Sequence, residues 1–132
     1  MQRYIRMISR WHRLEMQMLR PATAKSPQEC MRIEAELLRA AQPASGVVVA
    51  LGEEGRLFST HELAQWFLRQ QSMREMVFLM GSAHGMAASV KRESSLLLSL
   101  SPLTLPYGLC RLVLVEQIYR IATVAEKHPY HK

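Results

Sequence analysis

Val47-Val48-Val49-Ala50-Leu51-Gly52 is an apolar run of strand length closed by a glycine. An unbroken run, as opposed to an alternating one, suits a parallel strand covered on both faces, since neither side chain row meets water. Two runs of the same kind follow, Met76-Val77-Phe78-Leu79-Met80 and Leu96-Leu97-Leu98-Ser99-Leu100. The segments between them carry helix signals. Ser59 and Glu62 have the spacing of a capping box, and Leu63, Trp66 and Phe67 supply an apolar face behind it. Gly81 to Gly85 is a turn of small residues, followed by a short helix from about Met86 to Glu93.

Upstream, Ser26-Pro27-Gln28-Glu29 starts a helix with proline at its first position, where a missing N–H costs little, and Ile33, Leu37 and Ala41 form its expected face before Pro43 to Gly46 end it. Residues 2–11 read as a helix in which Tyr4, Ile5 and Ile8 share a side and Arg3, Arg6 and Arg10 are interspersed. Arg13 to Leu19 alternates with period two, Leu14, Met16 and Met18 against Glu15 and Gln17, and reads as a strand. Pro21 to Lys25 and Gly52 to Phe58 read as loops. Downstream, Ser101 to Tyr107 is a loop with two prolines, and a long helix runs from about Gly108 to Glu126 with Leu112, Val115, Tyr119 and Ala122 on one face. Trp66, Phe67 and the methionines are expected in the core.

Strands alternating with helices argue for an α/β fold with a mostly parallel sheet in a single domain, residues 1–132. Ligands of open parallel sheets bind beyond the carboxyl ends of the strands. Those ends are Leu51-Gly52, Gly81-Ser82 and Leu100-Ser101.

The net charge is +6, from 17 Lys and Arg against 11 Asp and Glu, a balance that favours polyanionic partners. No apolar run approaches the roughly 20 residues that span a bilayer. The basic N-terminus has no separate apolar core of signal-peptide type, so a soluble cytoplasmic protein with no membrane partner is expected. Cys30 and Cys110 lie in helical patterns without a CxxC or Cys/His neighbour and read as buried free thiols. His128 and His131 have no third or fourth ligand near them in sequence, so no metal is expected. The Gly81–Gly85 turn lacks the GK[ST] ending of a Walker loop, and no Ser/His/Asp hydrolase motif is visible.

Four blocks together resemble one family. Phe78-Leu79-Met80-Gly81-Ser82-Ala83-His84-Gly85 is similar to a FxIGGxxG loop, and Leu100-Ser101-Pro102-Leu103-Thr104-Leu105-Pro106 to an LSxLTLPH segment. Arg111 to Arg120 is similar to an RxxLxEQxYRA helix, and His128-Pro129-Tyr130-His131-Lys132 to an HPYHK/R ending. Leu51, Gly55, Ser59 and Glu62 fit an LDxxGKxxSSExFA region. In this order and spacing the blocks resemble the RlmH family of SPOUT RNA methyltransferases. The resemblance implies an α/β fold with a C-terminal trefoil knot, a homodimer whose active sites draw on both subunits, and S-adenosylmethionine as methyl donor. It also implies methylation of N3 of a pseudouridine in large-subunit (23S) ribosomal RNA. A catalytically impaired RNA- or ribosome-binding member of the same fold is the alternative.

Carried over by motif, the cofactor contacts are Leu51, Gly81, Leu100, Ser101, Pro102, Leu103, Thr104 and Leu105. Adenine needs an apolar slot and backbone groups to read its edge, and a glycine lets the chain approach without a Cβ. The acceptor N3–H must lose a proton, which an imidazole or a cation can assist. Tyr130 and His131 are expected to shape the base pocket, with Arg120 and Lys132 on phosphate or the developing anion. Arg3, Arg6, Arg10 and Arg13 form either an RNA-facing edge or a solvated helix face.

The chain departs from the family pattern in places. It enters near Tyr4, midway through the family's first helix, so the domain reads as N-terminally shortened by a strand. Ser82 stands at the family's second glycine, Ala83-His84 replaces a Pro/Ser-Glu pair, Gly52 replaces an Asp, and Tyr107 replaces a His. A side chain at 82 is expected to hinder the close backbone approach that the glycine allows.

Overall fold

The computed structural model describes residues 1–19, 22–42, 46–70, 75–82 and 85–130. Eight elements follow one another: α1 (Gln2–Ile8), α2 (Pro27–Ala41), β1 (Val47–Leu57), α3 (Thr60–Arg69), β2 (Met76–Leu79), α4 (Ala88–Glu93), β3 (Leu96–Ser99) and α5 (Tyr107–Ala125). The chain forms two compact units. One gathers Met1–Gln17, Phe58–Gln71 and Leu103–Lys132; the other gathers Met18–Leu57 and Ser72–Pro102.

The second unit holds the sheet. Its strands are parallel in the order β2-β1-β3, as the unbroken apolar runs imply. Val47 to Ala50 pair with Met76 to Leu79 on one side, and Val49 to Leu51 pair with Leu96 to Leu98 on the other. Ala50 and Leu79 are buried with Ala35 of α2 and with Met86 and Val90, while Leu38, Val48, Val77, Ala87 and Leu97 close around them. Each large side chain buried in this way stabilises the unit by roughly 1.5–3 kcal/mol.

β1 is longer than the apolar run. It continues to Leu57, so the expected loop at 52–58 is mostly strand. The pairing moves from Leu51↔Leu98 to Arg56↔Leu98, which throws Gly52 to Gly55 out as a bulge. The polar residues there hid the strand, but the bulge lies flat on β3. A Cβ on Gly55 would stand 2.6 Å from the Leu97 carbonyl oxygen, so only glycine fits. Ser99 Oγ donates to the Glu53 carbonyl at 3.1 Å, and Lys91 pairs with Glu54, whose carboxyl that contact holds below the usual range.

α2 starts where its proline and Ser26 place it, with the Ser26 hydroxyl accepting from the Glu29 N–H at 3.2 Å. Its buried stripe is rotated from the expected one. Cys30 and Ala35 are buried, with Leu38 packed against the cluster that holds Ala35, whereas Leu37 is 38% exposed and Ala41 is exposed. Both stripes satisfy helical periodicity; contact with α4 and the sheet selects the one with the small Ala35.

The first unit is helical. α3 opens on the expected capping box, Ser59 Oγ accepting from Glu62 N–H at 3.1 Å and Glu62 Oε1 accepting from Ser59 N–H at 2.8 Å. It buries Leu63 and Ala64, with Trp66 and Phe67 half-buried in edge contact. α1 and α3 both pack on α5, which explains why that helix buries Leu114 and Ile121 as well as the expected Val115, Tyr119 and Ala122. Leu112, assigned to the same face, is 38% exposed. It lies in the first turns, which also expose Tyr107 and Leu109.

α1 ends at Ile8 and not at residue 11; Ser9 to Trp11 continue as turns, Trp11 N–H donating to the Ile8 carbonyl at 2.9 Å. Ile8 is fully buried against Val115 and Tyr119, and Leu14 packs on the same cluster. The strand expected over Arg13 to Leu19 does not form. Its alternation lacks a paired neighbour, and Met16 and Met18 lie 40% and 72% exposed instead of in the core. Cys30 is buried as expected, Cys110 is half-buried, and neither is in a disulfide.

Candidate functional site

In the sheet unit, the parallel register brings the carboxyl ends of the strands to one edge. Leu51 sits beside Leu98, two residues before Leu100, and Ala50 beside Leu79, two residues before Gly81. Leu51, Gly81, Leu100 and Ser101 are half-buried there, and Pro102 is exposed. The turn after β2 is closed on itself. Gly85 N–H donates to the Ser82 carbonyl at 2.9 Å, and Gly85 takes a φ of +84°, which suits glycine. A Cβ on Gly81 would come within 3.0 Å of the Gly85 carbonyl carbon and the Met86 nitrogen. The turn therefore needs glycine at 81 for its own closure. Leu51 and Leu100 thus lie half-buried at the same end of the sheet as the Gly81 backbone.

Leu103, Thr104 and Leu105 belong to the helical unit, on the approach to α5. Leu103 is 71% exposed, Thr104 exposed and Leu105 half-buried. Pro106 caps the helix at its start, a position that tolerates a missing donor.

The helical unit also brings together two of the residues assigned to chemistry. α5 ends at Ala125, and Lys127 takes a left-handed φ of 55°. Lys127 N–H donates to the Val124 carbonyl at 3.2 Å and His128 N–H to the Thr123 carbonyl at 2.8 Å, the paired bonds of a Schellman stop. The stop folds His128 and Tyr130 back onto the helical unit. His128 sits edge-on to Trp11 at 5.7 Å, and its Nδ1 accepts from the Tyr130 N–H at 3.2 Å. The Tyr130 ring meets Tyr119 at 4.6 Å, and the Arg120 guanidinium lies over it at 4.9 Å. His131 and Lys132, assigned beside them, lie outside the described residues, as does His84 of the Gly81 turn.

Sequence reasoning missed the residue at the centre of this cluster. Glu116 Oε1 accepts from Tyr130 Oη at 3.0 Å and pairs with Arg120 Nε at 2.6 Å. Its Oε2 accepts from Gln117 Nε2 at 2.9 Å, and Gln117 in turn accepts from Thr60 Oγ1 at 2.8 Å. The signal was present: Glu116 lies four residues before Arg120, the spacing at which helical side chains meet. Burial, then hydrogen bonds with Tyr4 and Glu116, push the Tyr130 phenol up to about 12. The Tyr130 hydroxyl is thus a donor to Glu116.

Arg3 and Arg6 are exposed on α1, and Arg10 continues their stripe in the following turn with its guanidinium over Trp11 at 5.4 Å. The same helix turns Tyr4 and Ile8 inward. Arg13 pairs with Glu15. Among the described residues no group of three or more His, Cys, Asp or Glu side chains gathers as for a metal, and no helix is long and apolar enough to cross a membrane.

A family model described as "Predicted SPOUT methyltransferase" matches residues 1–131. Ribosomal RNA large subunit methyltransferase H of Burkholderia mallei (strain SAVP1) is 38% identical over 127 residues, covering 91% of this chain and 80% of the relative. The protein of the same name from Burkholderia pseudomallei (strain K96243) is similar to the same extent, 38% over 127 residues with the same coverage.

Proposed function

The chain belongs to the SPOUT methyltransferase family, and on that premise we propose that it methylates ribosomal RNA of the large subunit, at N3 of a pseudouridine, in the cytoplasm. S-adenosylmethionine, which SPOUT methyltransferases generally use, supplies an electrophilic methyl group on a sulfonium when bound. The half-buried Leu51, Gly81, Leu100 and Ser101 at the carboxyl ends of the strands are assigned to the adenosyl part of such a ligand. The motif also implies contacts from Pro102 and, in the helical unit, from Leu103, Thr104 and Leu105. The reading takes residues 1–132 as one methyltransferase domain with a threaded, knotted C-terminal region.

The observation that carries the reading is the cluster of Arg120, Tyr130 and Glu116 at a folded-back chain end. Transfer to N3 needs the acceptor ring held in line and its negative charge matched as the proton leaves. Arg120 is a cation fixed by Glu116 and half-buried, which strengthens its field at a neighbouring anion. Tyr130, its hydroxyl donated to Glu116, orients the base by ring contact. His131, next in the chain, is assigned to the base pocket with Tyr130, and Lys132 to phosphate or the developing anion. Arg3, Arg6 and Arg10 are assigned to phosphates, in keeping with the net charge of +6. Tyr107, Leu109 and Leu112, exposed at the start of α5, supply an apolar surface for the second subunit of a homodimer.

The test is methyl transfer from labelled S-adenosylmethionine to large ribosomal subunits isolated from a strain lacking this protein, read by nucleoside mass spectrometry. Label in N3-methylpseudouridine is the expected result. Label on another nucleotide rejects the target while retaining the enzyme. RNA binding without any transfer leaves only a catalytically impaired member of the fold.

A further inference from the structure

Glu34 of α2 is half-buried and its carboxylate is used at both oxygens. Oε1 accepts from the Ser82 hydroxyl at 2.6 Å, inside the range of charge-assisted bonds. Oε2 accepts from the Ala22 N–H at 3.1 Å, and the Ala22 carbonyl accepts from Cys30 Sγ one turn earlier on the same helix at 3.6 Å. A single side chain therefore ties a helix, the segment preceding it and the turn after β2. The turn has two other restraints. It is closed at its base by the Gly85 to Ser82 bond, and Met86 at its exit is buried beside Val90. Glu34 is the lateral restraint that joins the turn to α2.

We infer that Glu34 is a positioning residue for Gly81 and Ser82 at the end of β2, acting through the Ser82 hydroxyl to hold the backbone of those two residues in the shape that takes the cofactor. The inference rests on the proposed reading of the turn as part of the cofactor site. It reverses the expectation that a side chain at 82 is a hindrance. The Ser82 side chain points to a carboxylate on α2, so it braces the turn that a glycine would leave free to move.

The experiment uses the full chain and five variants, Ser82→Ala, Ser82→Gly, Ser82→Thr, Glu34→Gln and the double variant Glu34→Gln with Ser82→Ala. Calorimetric titration with S-adenosylhomocysteine is combined with KM for S-adenosylmethionine, KM for ribosomal RNA, and melting temperature. Ser82→Ala and Ser82→Gly are expected to weaken cofactor binding about three- to tenfold, less than a full charge-assisted bond because the contact is solvent-exposed and acts on the cofactor through the backbone. The KM for RNA stays unchanged, and Ser82→Thr, which keeps the hydroxyl, binds as the parent does. Glu34→Gln combined with Ser82→Ala is expected to be no weaker than the worse single variant, since both remove one interaction. Tighter or unchanged cofactor binding by Ser82→Gly overturns the inference alone. A general loss, with melting temperature and both KM values moving together and no rescue by threonine, overturns it in favour of a plain structural bond. A parent chain that binds no S-adenosylhomocysteine overturns the cofactor reading itself.

Discussion

Replacing Glu116 by Gln tests the cluster at the chain end most directly. The change keeps the size of the side chain and one acceptor oxygen but removes its charge. That oxygen is shared, since Tyr130 Oη lies 3.0 Å and Arg120 Nε 2.6 Å from Oε1. A bond to a charged group contributes about 1.5–3 kcal/mol and a neutral one about 1 kcal/mol, so each of the two contacts loses about 1 kcal/mol. The side chains of Arg120 and Glu116 are 32% and 18% exposed, so the full cost of breaking a buried pair does not apply. A loss of about 2 kcal/mol in the positioning of Arg120 and Tyr130 slows methyl transfer about 30-fold. Steady-state kinetics on ribosomal RNA should place the loss in kcat, with the cofactor KM unmoved. The same variant removes one of the causes that raise the Tyr130 phenol, so its ionisation, followed by ultraviolet absorbance, should move down from about 12. A variant that transfers methyl within about twofold of the parent rate, the scatter of an inert surface change, would refute the assignment of Glu116 as the organiser of the pair.

Other expectations follow from separate features. Gly55→Ala forces a Cβ against the Leu97 carbonyl oxygen at 2.6 Å; overpacking of this kind costs about 1–3 kcal/mol, measurable as a lower denaturant midpoint, and an unchanged midpoint would show that the bulge is not pressed on β3. Lys127→Gly relieves a left-handed φ of 55° at the Schellman stop and should stabilise the chain by about 0.5–1 kcal/mol after the added backbone freedom is counted; a lower melting temperature would argue against the stop. Tyr130 is raised from 10.0 to about 12 by folding, so the unfolded chain releases that proton first as pH rises. Its stabilising contribution is therefore complete below pH 10 and lost on the way to about pH 12, a decline that Tyr130→Phe should reduce in denaturation curves taken across that window.

Much of the sheet unit is legible in the chain because its signals are local. Unbroken runs such as Val47 to Leu51 announce strands covered on both sides, and Ser59 with Glu62 announces a helix start through a bond pattern complete within four residues. The errors fall where long-range contact decides between locally equal options. Leu37 and Leu38 both extend an acceptable stripe on α2, and only the neighbouring α4 and sheet select the second. Met16 and Met18 alternate as a strand would, but an alternation without a pairing neighbour forms no ladder. The bulge at Gly52 to Gly55 is polar and glycine-rich and so reads as a loop, although it rests on β3. Of the candidate site, the two tail-proximal residues Arg120 and Tyr130 do come together, through a helix stop visible only in backbone angles. Glu116 was within reach of the helical spacing rule. Glu34 was not, because nothing in the sequence ties residue 34 to residue 82.

Among the described residues the sheet contains no hairpin. β1 finds its partners in segments that lie far along the chain, Val47 with Met76 and Val49 with Leu96, and in each case a helix intervenes. Loops of that length must close before any rung of the ladder rewards them, so the sheet cannot nucleate locally and assembly is slow. During that interval the three most apolar segments of the chain are unpaired and available to other molecules, which makes refolding yield fall with protein concentration. A chaperone-free preparation is best refolded dilute and cold-started, and its losses should appear as intermolecular β-structure drawn from Val47 to Leu51 and its counterparts.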